Sequence, residues 1–123
     1  MKKEDIKPGV FCYNYKKVNK LYQIVGIART DDIYSSDDYN REPDFVARNV
    51  EDDEQNHLGF IFPNQKIVIS QSRKFPAIND RYVIYNTLAF VEYNIPRIWA
   101  RKLDDFVSDA KLSEQTIERF TEV

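Results

Sequence analysis

The chain has almost none of the residues from which active sites and covalent staples are usually built. It holds one cysteine, Cys12, and one histidine, His57, in 123 residues. A lone thiol closes no intramolecular disulfide and suits a reducing compartment. A zinc site needs several Cys or His ligands, and two such residues do not supply one. Nucleophilic catalysis needs Ser or Cys beside a histidine base. His57 follows a run of Asp and Glu that reads as loop, and Cys12 lies among aromatics, where a core role is expected. Glycine is scarce: Gly9, Gly26 and Gly59 are too far apart to form a phosphate-cradling loop, and no Gly-x-Ser-x-Gly elbow is present. Long apolar runs are missing too. The charged start Met1-Lys2-Lys3-Glu4-Asp5 leads into none, so neither a signal peptide nor a membrane span is expected, and the cytoplasm is the expected location. No enzyme activity and no cofactor are expected.

Aromatic residues, by contrast, are plentiful. Eight Phe, eight Tyr and one Trp stand in a chain that is 42% hydrophobic. That composition excludes a disordered protein, and the length suits one domain with a core of its own. So many aromatics in so short a chain also predict a homo-oligomer, with the surplus at an interface. The charge is uneven. Residues 1–30 carry seven Lys/Arg against two Asp/Glu, whereas residues 31–54 carry two against ten. The acidic middle argues against duplex nucleic acid as a partner and reads as a solvated surface insertion. Asp31-Asp32 and Asp37-Asp38 lack the glycine and closing Glu of a calcium loop.

Local patterning predicts a mainly β fold with one or two short helices. Val10 to Tyr15 and Leu21 to Arg29 are rich in β-branched and aromatic residues and predict a hairpin, with Gly26 marking a bulge. Pro43 to Asn49 reads as a short helix with Pro43 in its first turn. Leu58 to Phe62 and Lys66 to Gln71 flank Pro63-Asn64-Gln65 as a second hairpin. Arg73 to Asp80 reads as loop. Tyr82 to Tyr93 is the best strand candidate, and Ile98 to Arg101 is a shorter one. Leu103, Phe106 and Val107 recur at helical spacing within Lys102 to Ala110. Ile117 to Val123 closes the chain as a strand or a helix.

The chemistry that remains is that of binding. Strand alternation puts Arg97, Trp99 and Arg101 on one face. Guanidinium forks beside an indole suit a ligand with phosphates and a flat base. The structural alternative makes Trp99 a core residue and Arg101 an ion-pair partner of Asp104 or Asp105. Asp104-Asp105 itself reads as a solvated or capping pair.

Several segments resemble a short bacterial and phage domain of unknown function. Its run of motifs is matched by Ile6-Lys7-Pro8-Gly9-Val10, Tyr22-Gln23-Ile24-Val25-Gly26-Ile27-Ala28-Arg29, Tyr82-Val83-Ile84-Tyr85-Asn86-Thr87-Leu88, Ile98-Trp99-Ala100-Arg101-Lys102-Leu103-Asp104-Asp105-Phe106 and Glu118-Arg119-Phe120. Lys102 stands where that family has Pro, and residues 31–80 form an insertion that the compact family lacks. The resemblance implies a small, twisted, antiparallel SH3-like barrel in a single domain, 1–123. In size, β-rich character and elaborated middle the chain is also similar to the phage anti-defence sponges that counter Thoeris immunity. Those form dimers and hexamers and hold cyclic ADP-ribose isomers, some also cyclic oligonucleotides. That likeness implies a small cyclic nucleotide ligand held by Arg29, Arg48, Phe75, Asn86 and Arg101, with Trp99 as a further stacking surface. An SH3-like module binding RNA or a protein partner, and an enzyme whose carboxylates act on nucleotides, are the competing readings.

Overall fold

A computed structural model of the chain describes residues 1–29, 41–50, 57–72, 74–75, 79–88 and 98–123. The acidic turn formers from Asp31 to Asn40, Arg73, Pro76, Arg97 and the end of the long apolar run at 89–93 lie outside them.

The expected N-terminal hairpin is present as β1 (Phe11–Asn14) and β2 (Lys17–Arg29). Its turn comes earlier than the charge pattern predicts. Asn14 Oδ1 accepts the Lys16 N–H at 3.0 Å, a local bond that short polar side chains favour in turns. Lys17 therefore begins β2.

Pro43 to Asn49 is not a helix. Phe45–Asn49 is a strand, β3, paired antiparallel with β4 (His57–Ile61). The reason lies in the side chains. Asp44 spends its carboxylate on the Phe62 N–H at 2.8 Å and on Arg41, and its own N–H donates to the Phe60 carbonyl at 2.8 Å. Phe45 and Ala47 then point inward while Val46 and Arg48 point outward, a period of two. The described part of the acidic middle is thus sheet rather than solvated insertion, and Ala47 is fully buried. His57, expected in a loop, opens β4.

A 3₁₀ turn, Pro63–Gln65, joins β4 to β5 (Ile67–Ile69), completing the second expected hairpin. β6 (Tyr82–Thr87) and β7 (Ile98–Lys102) pair antiparallel, and Leu103–Phe106 forms one short helix, α1. The expected helix to Ala110 ends early because Asp109–Leu112 is a strand, β8, paired with β9 (Gln115–Glu118). β10 (Phe120–Glu122) returns to pair with β1.

Among the described residues, eight strands make one sheet in the order β10-β1-β2-β5-β4-β3-β7-β6, and β6 pairs again with β2. That last pairing closes β2, β5, β4, β3, β7 and β6 into a ring, which removes the sheet edges on those strands. Two of its seams, β2–β5 and β3–β7, are parallel. The ring needs β3, β4 and β5, all contributed by residues 31–80.

β2, β6 and β7 separate two cores. One face presents Tyr22, Ile24, Val83 and Tyr85, which pack with Cys12, Phe106 and Phe120. The other presents Ala28, Tyr82, Ile84 and Ala100, which pack with Ala47, Leu58, Phe60 and Ile69. The register of β2 on β6 slips between Ile24 and Gly26, so the bulge expected at Gly26 is present and bends β2 to serve both cores. Among the described residues no helix is long and apolar enough to cross a membrane.

Candidate functional site

Trp99 and Tyr85 are directly opposite each other on β7 and β6, and Arg101 and Val83 are opposite each other two residues along. All four share the face of the aromatic core. On this face a cleft of about 180 Å³ opens between Trp99, Tyr85, Arg101 and Tyr22, with Phe120 and Val50 at its sides. The turn of the first hairpin brings Asn14, Lys16 and Lys17 to its mouth.

Arg101 is held in place by its neighbours. It forms an ion pair with Asp105 of α1, which is the structural role its spacing to Asp105 predicts. It also reaches the Tyr85 hydroxyl and lies over the Phe120 ring at 5.5 Å. Burial opposes its charge, but Tyr85 and Asp105 outweigh that and raise its pKa above the ordinary value. Its Nε is buried and has no hydrogen-bond partner. Tyr85, nearly fully buried, is pushed up to about 12 by desolvation. Tyr22 is raised for the same reason.

Trp99 is half-buried, as neither a pure core residue nor a free surface would be. Its indole N–H donates to Thr87 Oγ1 at 2.7 Å, which fixes the ring plane. Arg48 stands beside it in the parallel β3–β7 register, with the guanidinium 5.4 Å from the ring centre. Such a contact is worth about 0.5–1 kcal/mol where solvent is near.

The residues that the resemblance implied are not all brought together within one chain. Arg48, Trp99 and Arg101 come together. Asn86 does not join them: on β6 it alternates with Tyr85 and shares the opposite face with Ile84. There its Oδ1 is buried without a partner. Phe75 is a core side chain laid over Gly59, so close that a Cβ on Gly59 would come within 2.7 Å of its ring. Arg29, at the end of β2, lines a different cleft. Lys16, Lys17, Tyr22 and Tyr85 belong to the site and were not singled out for it by sequence. The lysine pair in a turn beside a Tyr-rich strand was the available signal. Arg119 joins the Asp105 network from the tail, its Nε lying 3.8 Å from Asp105 and 3.2 Å from Ser108 Oγ.

Chemically, the cleft offers aromatic walls, three cationic side chains and no carboxylate among its described lining residues. Cys12 is fully buried beneath it, and desolvation raises its thiol to about 11, which keeps it protonated and poorly nucleophilic. Among the described residues no group of three or more His, Cys, Asp or Glu could hold a metal ion.

Fold and site together define a small closed-sheet β protein with a basic, aromatic-walled cleft. Comparison of the chain with protein-family models, with curated proteins and with solved structures finds no match.

Proposed function

We propose that this protein binds a small cyclic nucleotide in the cytoplasm and sequesters it without cleaving it, in the manner of the anti-defence sponges it resembles. One observation carries the reading: Lys16, Lys17 and Arg101 converge on a cleft walled by Trp99, Tyr22 and Tyr85. Phosphates suit the cations, and a flat base suits the aromatic walls. Arg101 adds an unpartnered buried Nε to that set. The ligand class comes from the resemblance, and the anionic, ring-bearing character comes from the side chains.

Sites that enclose a small ligand usually measure about 300–1,000 Å³, and this cleft is about 180 Å³. The reading therefore includes a homo-oligomer, dimer or hexamer, in which a second copy completes the enclosure. Exposed Phe62 and Phe11 are available to such an interface.

The test is calorimetric titration with cyclic ADP-ribose isomers and with cyclic di- and trinucleotides, alongside light scattering. A charge-assisted bond to phosphate is worth roughly 1.5–3 kcal/mol, so Lys17→Ala and Arg101→Ala should each weaken binding about ten- to a hundredfold. Arg101→Lys should restore part of the loss. Lys111→Ala, on exposed β8, should change nothing. Ligand released by heat should have its original mass. A new product mass would make the protein an enzyme. A wild-type protein that binds none of these ligands but binds RNA or a peptide would make it a generic barrel module.

A further inference from the structure

Leu103 and Phe106 are the buried residues of α1. Phe106 stacks on Phe120 with ring centres 4.0 Å apart, so the helix is pinned to the aromatic core. Asp104 and Asp105, between them, have different fates. Asp104 is exposed and pairs with Lys3 at the surface. Asp105 is partly buried, and its carboxylate lies between two guanidinium groups. Its Oδ2 pairs with Arg101 Nη1, and its Oδ1 lies 3.8 Å from Arg119 Nε.

Ser108 locks this arrangement. Its N–H and its hydroxyl both donate to the Asp105 carbonyl, at 3.1 Å and 2.6 Å. The hydroxyl oxygen accepts the Arg119 Nε–H at 3.2 Å, and the Ser108 carbonyl accepts the Arg119 backbone N–H at 3.3 Å. The backbone and the carboxylate of Asp105 are therefore both fixed in the free protein. Arg101 meets that carboxylate from the end of β7, with Phe120 and the Tyr85 hydroxyl against it. A long arginine side chain loses much rotamer freedom when it grips a ligand, and one already held loses little.

Resting on the nucleotide reading of the Trp99 cleft, we propose that Asp105 is a positioning residue of that site, holding Arg101 so that the remaining donors of its guanidinium meet the anionic group of the ligand. Arg101 lines the cleft, whereas Asp105 and Arg119 do not; Asp105 acts through Arg101, and Arg119 steadies Asp105. The sign of the effect separates this role from that of a plain charge. Asp105 is an anion beside a cationic cleft. By field alone, removing its charge should tighten the hold on an anion. Removing a positioning residue should weaken it.

The test uses the full chain and has a ligand-free arm and a titration arm. In the first, NMR of the arginine Nε–H groups reports how ordered each guanidinium is. Arg101 should be ordered in the wild type, and Asp105→Asn should bring it toward the behaviour of the exposed arginines. The second arm is calorimetric titration with cyclic ADP-ribose isomers and cyclic dinucleotides. Asp105→Asn should weaken binding about tenfold, the low end of what one charge-assisted bond contributes. Added to Arg101→Gln it should cost nothing further, whereas added to Lys17→Ala it should cost its full factor. Asp105→Glu should recover part of the loss. If Asp105→Asn fails to fold, Arg119→Gln removes the outer half of the clamp and should move both readouts the same way, with a loss of affinity of about threefold. An Arg101 equally ordered without the Asp105 charge, tighter binding in Asp105→Asn, or losses that add in the double variant with Arg101→Gln would overturn the inference. A wild type that binds none of these ligands would overturn the nucleotide reading instead, and loss of Arg101 order in Asp105→Asn would still support the clamp.

Discussion

The two faces of β2, β6 and β7 carry cores of opposite character. The first is aromatic and partly polar: Tyr22, Tyr85, Phe106 and Phe120 meet one another, with Arg101 and Cys12 among them. Phe106 and Phe120 stack with ring centres 4.0 Å apart, and Tyr85 meets both nearly edge-on. Each such pair adds about 0.5–1.5 kcal/mol beyond the area it buries. The second core is built largely of alanine and aliphatic residues around Phe60. Its walls β3, β4 and β5 all come from the segment that looked like an insertion. A buried guanidinium costs free energy unless neighbours offset it, and in the first core Tyr85 and Asp105 offset it while holding the charge at a cleft. The second core spends nothing on chemistry and closes the ring.

If both cores are integral, each should fail at similar cost. Phe120→Ala in the first and Phe60→Ala in the second should each destabilise by about 3–5 kcal/mol, the usual cost of emptying a buried aromatic site. Because β2 and β6 serve both cores, urea unfolding should remain one transition by Trp99 fluorescence and far-UV circular dichroism alike. A Phe60→Ala protein that loses β signal while Trp99 stays protected would show that the second core is an appendage.

Alkali should act through the first core. Burial raises Tyr85 from 10.0 to about 12 and Cys12 from 9.0 to about 11. Both groups bind their protons more tightly in the folded state. Their stabilisation is fully present below the unfolded values and is lost as pH rises through the folded ones. Two units on Tyr85 correspond to about 2–3 kcal/mol. Stability from urea midpoints should therefore fall between pH 9 and pH 12, and Tyr85→Phe should flatten the upper part of that fall. A flat profile in the wild type would mean that Tyr85 is solvated.

Gly59→Ala probes the outer face of β4, which carries Phe75 and is turned away from the second core. Its Cβ would meet the Phe75 ring at 2.7 Å and Pro43 Cβ at 2.9 Å. Overpacking of this kind costs about 1–3 kcal/mol, read as a lower melting temperature. Ligand affinity at the Trp99 cleft should not change.

The sequence made the two cores unequally legible. β1, β2, β4, β5, β6 and β7 announce themselves by runs of Val, Ile, Tyr and Phe between turn formers, and Gly26 marks its bulge. β3 does not, because Pro43 and Asp44 mimic a helix start. What decides the matter is the bond that the Phe62 N–H donates to the Asp44 carboxylate, eighteen positions away, which no local pattern reveals. The site was half legible for the same reason. Alternation along one strand joins Trp99 to Arg101. Only the pairing of β6 with β7 adds Tyr85, and only the position of the first turn adds Lys16 and Lys17. Asn86 went astray by one residue of register, which is enough to move a side chain to the other face.

The smallest effect tests whether the two regions meet at the site. Arg48 belongs to β3, yet its guanidinium lies 5.4 Å from the Trp99 ring centre, and Val50 just beyond β3 lines the same cleft. Arg48→Ala should cost only about 0.5–1 kcal/mol of stability, the value of a half-exposed cation–π contact. It should nonetheless shift the Trp99 emission and weaken nucleotide binding severalfold, because the ring loses the cation that flanks it. Arg48→Lys should recover the stability more fully than the affinity, since a point charge still attracts the ring face but cannot fork to a phosphate. Equal recovery of both would make Arg48 a packing residue for Trp99. An affinity unchanged in Arg48→Ala would confine the site to β1, β2, β6 and β7, and the inserted strands would then have closed the ring without touching its chemistry.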